Sequence, residues 1–234
     1  MMNLGKPTCV SSNQKRGFVV KVDGIDGSGK TEAVRGLVER LSQKMTVAQT
    51  AEFRSDQDLQ TDGGRSVSRL LYDLSLDPVL AFDVTERQFA MAISSHRSNR
   101  VVLSKLISTA DVVICDRSTL SIFAYSIGID PSLGSALFAN AQAAAIEDLI
   151  IWLDVEPELA AQRTLPRRKK QPSLDNVELL GLEHQRAVAE RYRIITSKRG
   201  NIQRIDAALP LDQVLDRCEK VIEARWSQWR HNEC

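Results

Sequence analysis

A glycine-rich segment near the start of the chain constrains the fold more than any other feature. Residues 24–31 read Gly-Ile-Asp-Gly-Ser-Gly-Lys-Thr, which fits the pattern G-x-x-x-x-G-K-[ST]. Residues 18–22 before it are β-branched and aromatic, as a buried strand is, and residues 31–44 after it carry apolar residues at helical spacing. In such a unit the N–H groups of the loop and the helix N-terminus both favour a phosphate group. The segment therefore predicts a phosphate-binding loop, or P-loop, for a nucleotide.

Two side chains at the end of this loop have the chemistry to act on bound phosphates. The Lys30 ammonium group would reach the outer phosphates, and the Thr31 hydroxyl would bind Mg²⁺. We expect Lys30 to be solvated when nucleotide is absent, so that its role concerns the ligand rather than the fold.

One domain accounts for nearly the whole chain. With 234 residues, 43% of them hydrophobic, the chain can bury one large α/β core. We expect residues 1–16 to be a disordered leader and residues 17–234 to be the single domain. The formal net charge of +1 argues against a nucleic-acid partner, and no apolar run approaches the length of a membrane span. The four cysteines form no C-x-x-C pair, which favours a reducing, cytoplasmic location.

Strand-like apolar runs alternate with helical patterns along the rest of the chain. Further strands are predicted at 46–51, 111–116, 149–154 and 201–206. Helices are predicted at 67–74, 78–108, 135–148, 178–198 and 211–229, with Pro78 early in the second of them. This alternation favours an α/β fold with a five-stranded parallel sheet and helices on both faces, the three-layer fold of P-loop NTPases.

Two of the predicted strands end in an aspartate. Asp116, followed by Arg117, ends one strand, and Asp154 ends another. Because ligands of open parallel sheets bind outside the carboxyl ends of the strands, either carboxylate could lie near Mg²⁺. The sequence leaves this choice open.

Two polar segments admit more than one interpretation. Residues 94–100 are a polar interruption of the long second helix, either as a solvated face or as a segment whose Arg97 faces the cleft. Residues 163–172 form the one dense basic cluster, either as an exposed turn or nucleic-acid patch, or as a lid loop that closes arginines over phosphates. We favour the lid, at about residues 163–177.

With these residues in view, the chain from about 18 to 221 resembles the thymidylate kinase family. Four motifs carry the resemblance, in order and at similar spacing. They are the P-loop with an acidic residue at Asp26, the helix with Arg97, the D-R-x-x-x-S-x-x-A-Y pattern at 116–125, and R-x-x-x-R followed by D-x-[hydrophobic]-E, which runs from Arg163 to Glu178.

The resemblance implies transfer of the ATP γ-phosphoryl group, with Mg²⁺, to a deoxypyrimidine 5′-monophosphate in a homodimer. It assigns ATP contacts to Gly24, Asp26, Gly27, Ser28, Gly29, Lys30, Thr31 and Arg163. It assigns acceptor contacts to Asp26, Arg54, Ile93, Arg97, Arg117, Ser121 and Tyr125. In detail, Arg54 and Arg117 would hold the acceptor phosphate, Arg97 the pyrimidine, Tyr125 the deoxyribose side and Asp26 the sugar 3′-hydroxyl. Thr31 and Asp116 would bind the Mg²⁺ ion.

The resemblance also bears on the catalytic groups, which would be Lys30, Asp116, Arg163 and Arg167. Because the P-loop carries no arginine, a lid arginine must neutralise the transferred phosphoryl group. Arg167 is our choice, with Arg163 near the adenine and Arg168 as the competitor. A monophosphate acceptor is already anionic, so no general base is required.

The chain departs from the family pattern in its acceptor region. Residues 54–58 read Arg-Ser-Asp-Gln-Asp where many members have R-E-P-G-G, and Ser118 and Ile93 replace aromatic residues. Both replacements predict a roomier pocket that takes dTMP and also dUMP or a 5-substituted dUMP.

Two other functions are compatible with the sequence. A deoxynucleoside kinase would resemble the chain in its D-R-S segment at 116–118 and could use Glu52 as the base for a 5′-hydroxyl. A nucleotide-dependent switch would need no acceptor, although the guanine-reading N-K-x-D motif is absent from the sequence.

Overall fold

A five-stranded parallel sheet organises the fold. The computed structural model describes residues 16–51, 53, 66–170, 180–197 and 199–232, and only the main chain of residues 167–170 and 232. The strands are β1 (Phe18–Asp23), β2 (Val47–Ala51), β3 (Val112–Asp116), β4 (Leu149–Asp154) and β5 (Ile202–Asp206), in the order β2-β3-β1-β4-β5. All four strand pairs are parallel, and Val22 of β1 is in register with Asp116 of β3. The α/β fold predicted from the sequence is confirmed.

Helices cover both faces of the sheet. They are α1 (Lys30–Leu41), α2 (Val67–Leu76), α3 (Val84–Arg97), α4 (Ser104–Leu106), α5 (Leu120–Ala124), α6 (Pro131–Ala144), α7 (Pro157–Lys170), α8 (Gly181–Thr196) and α9 (Leu211–Asn232). Successive residues of β1 point to opposite faces. Val20 therefore joins a cluster with Leu37 of α1 and Ile222 of α9, whereas Val19 packs against Leu103 on the other side. Among the described helices, none has both the length and the apolar character needed to cross a membrane.

The long predicted helix at 78–108 begins later than expected. Residues 78–81 form a turn, so the placement of Pro78 in a helix is wrong. A capping box sets the true start of α3: the Asp83 carboxylate accepts from the Glu86 N–H at 2.8 Å, and the Glu86 carboxylate accepts from the Asp83 N–H at 2.8 Å. After α3 the chain continues as a π-helical turn (Ser98–Leu103) into α4.

Most of the polar segment of this helix is buried, although His96 and Arg100 are exposed. Ser94, Ser95, Ser98 and Asn99 are all buried. Ser94 donates to the carbonyl of Phe53, and Ser98 donates to the carbonyl of Ala51 at 3.1 Å. These hydrogen bonds satisfy main-chain groups at the end of β2, so the interpretation of this segment as a solvated face is wrong.

The described part of the basic segment is helical. Its first part, residues 163–170, is the end of α7 and not a loop, although Pro166 lies inside this helix. Residues 171–177 of the predicted lid, and residues 1–15 of the predicted leader, lie outside the described part of the chain.

Candidate active site

The P-loop connects β1 to α1 and packs directly against α7. Gly27 has a φ of 85° and Gly29 a φ of 90°, in the left-handed region that favours glycine. A Cβ atom at Gly27 would lie 2.2 Å from the carbonyl oxygen of Ala160 in α7. The main chain of α7 therefore rests on the P-loop at Gly27, where the loop has no side chain.

Lys30 is held against its own loop. Its side chain is only 7% exposed, and Nζ donates to the carbonyls of Gly24 at 2.9 Å and Ile25 at 2.8 Å. Burial, with a further contribution from the charge of Arg117, lowers the pKa of Lys30 to about 8, against the opposing effect of Asp26. The expectation of a solvated Lys30 is wrong, because the loop carbonyls take the place that phosphate oxygens would fill.

Thr31 and Asp116 meet at the carboxyl ends of β1 and β3. Thr31 Oγ1 donates to Asp116 Oδ2 at 3.2 Å. The second oxygen, Asp116 Oδ1, is buried and has no hydrogen-bond partner among the described residues. Asp154, the competing candidate, instead accepts from Arg204 Nε at 2.7 Å. The structure therefore brings Asp116, and not Asp154, to Thr31.

Arg117 gathers three other predicted acceptor residues around it. Its Nη2 donates to Asp26 Oδ1 at 2.6 Å and its Nη1 donates to Ser121 Oγ at 3.3 Å. The guanidinium carbon lies 5.6 Å from the centre of the Tyr125 ring. Burial and the negative charge of Asp26 raise the pKa of Tyr125, so its phenol stays protonated and can donate.

Ser118 does not face this cluster. It is fully buried, and its hydroxyl donates to Asp23 Oδ2 at 2.6 Å. The prediction that Ser118 widens the acceptor pocket is therefore wrong. Asp23 was not predicted as a site residue, although a carboxylate directly before the P-loop was a visible signal.

Two of the predicted acceptor residues, Ile93 and Arg97, belong to α3. Gln88 of α3 donates to the Tyr125 carbonyl at 3.2 Å. Ile93 is five residues further on, about 140° around the helix, and is 54% exposed. Ile93 is therefore not brought to the Arg117 cluster, and nothing in its placement supports a contact with the base. Arg97 is partly buried in the last turn of α3, directly before the π-helical turn.

The Arg163 side chain binds the loop after β5. Its Nη1 donates to the carbonyl of Ala207 at 2.8 Å and its Nη2 to that of Ala208 at 3.4 Å, in the loop after β5. Arg167 follows one turn later in α7, but the side chains of Arg167 and Arg168 lie outside the described part of the structure. Arg54 and Glu52 also lie outside the described residues.

Comparison with known proteins relates the chain to one family. The thymidylate kinase family model matches residues 22–218. A thymidylate kinase of Trichodesmium erythraeum is 26% identical over 226 residues, which cover 92% of this chain and 99% of that protein. A thymidylate kinase of Blochmanniella floridana is 32% identical over 204 residues, covering 84% of this chain and 90% of that protein. One from Enterococcus faecalis is 28% identical over 222 residues, with coverage of 91% and 99%.

Proposed function

This chain belongs to the thymidylate kinase family of nucleoside monophosphate kinases, and from that premise we propose that it transfers the γ-phosphoryl group of ATP to dTMP. The observation that carries the proposal is the juxtaposition of two clusters. Lys30, Thr31 and Asp116 lie at the P-loop, and Arg117 bridges from the adjacent strand end to Asp26 of that same loop. A donor phosphate and an acceptor phosphate can thus meet outside the carboxyl ends of β1 and β3.

The donor would bind with its phosphates in the P-loop. Ser28 Oγ is buried and has no hydrogen-bond partner among the described residues, which suits a contact with a phosphate oxygen. Lys30 would exchange the carbonyls of Gly24 and Ile25 for phosphate oxygens. Such an exchange favours the charged form of the lysine, because an anion replaces neutral acceptors.

The residues at Thr31 fit Mg²⁺ as a cofactor. The described residues contain no group of three or more His, Cys, Asp or Glu side chains that could hold a metal ion alone. Mg²⁺ in phosphoryl-transfer sites is commonly bound through one or two carboxylates together with substrate phosphates. Asp116, with one unpartnered oxygen, supplies one such carboxylate, and the adjacent Thr31 hydroxyl supplies a second protein oxygen. The ion would neutralise phosphate charge there.

The acceptor would lie against the Arg117 cluster. In this proposal Arg117, with Arg54, binds the acceptor phosphate, and Tyr125, Ser121 and Asp26 contact the sugar side. Arg117 would then exchange its ion pair with Asp26 for the phosphate, which frees the Asp26 carboxylate for the 3′-hydroxyl. Arg97 would contact the pyrimidine.

Catalysis would depend on positioning and charge rather than on proton transfer. The migrating phosphoryl group carries negative charge on its oxygens, and Lys30 and an arginine of the basic segment would stabilise it. Closure of that segment would exclude water, which otherwise competes as the acceptor.

We also assign the exposed apolar side of α3 to a homodimer contact. Phe89 and Ile93 are 44% and 54% exposed, one turn apart on this helix. Contiguous exposed apolar residues are typical of interaction sites. Sedimentation equilibrium would measure the dimer directly, and a monomer at all concentrations would contradict this assignment.

A panel of acceptors tests the proposed function. We expect release of ADP from ATP with dTMP, and slower release with dUMP, thymidine, dCMP or no acceptor. Phosphorylation of thymidine but not dTMP would instead identify a deoxynucleoside kinase. Hydrolysis without any acceptor effect would identify a nucleotide switch. Turnover of dUMP as fast as that of dTMP would show a roomy acceptor pocket. The extra space would then come from residues other than the buried Ser118.

Nucleotide affinity is expected to fall as pH rises through the titration of Lys30. The pKa of Lys30 is lowered to about 8, mainly by burial, so the free protein loses this charge above that pH. Below pH 8 Lys30 is already charged when the polyphosphate binds. Above pH 8 Lys30 must take up a proton as the polyphosphate binds. The association constant for ADP should then fall by up to about tenfold per pH unit.

Titration calorimetry with ADP between pH 7 and 9.5 measures this effect. Lys30→Arg is the matched control, because its guanidinium stays charged over this range and its affinity should not follow the same slope. A wild-type affinity that is constant from pH 7 to 9.5 would contradict the assignment of Lys30 to the phosphates.

A further inference from the structure

A fully buried carboxylate lies beneath the P-loop and has no part in the mechanism above. Asp23 is the last residue of β1 and is 0% exposed. Its carboxylate accepts from the main-chain N–H groups of Gly24 at 2.8 Å and Ser118 at 3.0 Å. It also accepts from the hydroxyls of Ser118 at 2.6 Å, Ser121 at 2.9 Å and Tyr192 at 2.8 Å. Among the described residues, every hydrogen bond to this carboxylate thus comes from a neutral donor.

These donors belong to separate parts of the site. Gly24 begins the P-loop, Ser118 and Ser121 belong to the turn after β3 and to α5, and Tyr192 belongs to α8. A buried carboxylate needs several hydrogen bonds to offset its loss of water. Asp23 therefore holds these three parts in one fixed arrangement.

The turn after β3 shows why that arrangement matters. Arg117 has a φ of 76°, a left-handed conformation that costs free energy for a residue other than glycine. Such a conformation persists only where the surroundings hold it in place. On one side the Arg117 N–H donates to the Val22 carbonyl at 2.8 Å, and on the other Ser118 is bound through both its N–H and its hydroxyl to Asp23.

We propose that Asp23 is a positioning residue for the acceptor phosphate, because it holds the strained turn that aims Arg117 at the P-loop. The inference rests on the proposed function, in which Arg117 binds the phosphate of dTMP. Asp23 acts through Ser118 on the turn that carries Arg117, and through Ser121, and it does not contact either substrate.

Asp23→Asn is the direct test, because the two side chains have nearly the same shape. Gly24 N–H donates to Oδ1 and Ser118 N–H donates to Oδ2, so the amide can accept from only one of them. The hydroxyl donors can rotate, but the two main-chain donors cannot. We expect dTMP affinity, measured by calorimetry without donor, to fall at least tenfold, and the KM for dTMP to rise in parallel.

Two further variants separate positioning from general stability. Ser118→Ala removes one hydrogen bond on the Arg117 side and should weaken dTMP binding at least threefold while ADP binding changes less than twofold. Tyr192→Phe removes the bond from α8 and should leave dTMP affinity within twofold, whatever its effect on Tm. Ser118→Ala keeps the inference testable if Asp23→Asn does not fold.

The possible results are distinct. Asp23→Asn or Ser118→Ala with wild-type dTMP affinity would overturn the inference, as would a loss in Tyr192→Phe equal to that in Ser118→Ala. A wild-type protein that binds ADP but not dTMP would overturn the proposed function, and this inference with it.

Discussion

Lys30→Ala is expected to lower kcat/KM for phosphoryl transfer by about a thousandfold or more, equivalent to about 4 kcal/mol of transition-state stabilisation. Lys30 Nζ lies within hydrogen-bonding distance of two P-loop carbonyls and 3.8 Å from Asp26, at the place where the outer phosphates of a nucleotide would bind. The P-loop, residues 24–31, contains no second lysine that could replace Lys30.

The fold should survive this substitution. Removal of Lys30 leaves the carbonyls of Gly24 and Ile25 without a donor, but it also removes a cation that burial disfavours, as its lowered pKa shows. Lys30→Met is the matched variant, since it keeps an unbranched side chain and lacks only the charge. Both variants should retain a cooperative thermal transition, followed by circular dichroism. Turnover above a tenth of the wild-type value in either would count against the P-loop assignment.

Arg167→Ala is expected to lower kcat by about a thousandfold with a smaller change in the KM for ATP. This is the pattern for a charge that acts chiefly in the transition state. Arg163→Ala is the natural comparison, because it lies one turn earlier in α7 and its guanidinium binds the Ala207 and Ala208 carbonyls. We expect Arg163→Ala to raise the KM for ATP and to change kcat only a few-fold.

Steady-state kinetics with ATP varied at saturating dTMP distinguishes the two arginines. The same pattern in Arg168→Ala instead of Arg167→Ala would place the catalytic arginine one position later. A small effect on kcat in both Arg167→Ala and Arg168→Ala would remove the basic segment from the catalytic step.

Patterns of apolar residues were sufficient to predict the architecture of this protein. The strands from 18–22 to 201–206 were placed within about a residue. The central strands were the clearest, since parallel strands buried on both faces are nearly continuous apolar runs. The P-loop was also clear, because its glycines and Lys30 are local in sequence. The start of α3 was missed because Pro78 was assigned to an early helix position, whereas the capping box of Asp83 and Glu86 sets the start.

The internal arrangement of the site depended on contacts that are distant in sequence. Ser94 and Ser98 are polar, and polarity alone suggested solvent, whereas the carbonyls that they satisfy belong to Phe53 and Ala51. Asp116 and Asp154 both end strands, and the contact of Asp116 with Thr31 and the ion pair of Asp154 with Arg204 separate their roles. The burial of Ser118 likewise follows from Asp23, 95 residues earlier in the chain.

Gly27 shows how a residue that the phosphate does not require can still be obligatory. The pattern G-x-x-x-x-G-K allows any residue at this position, since it is one of the four unspecified sites. In this protein the carbonyl oxygen of Ala160 occupies the space where even a methyl group would fall. The identity of residue 27 is therefore dictated by the neighbouring helix, together with its own left-handed φ of 85°, rather than by the phosphate-binding pattern. A relative that carries a larger residue at this position must hold its equivalent of α7 further from the loop.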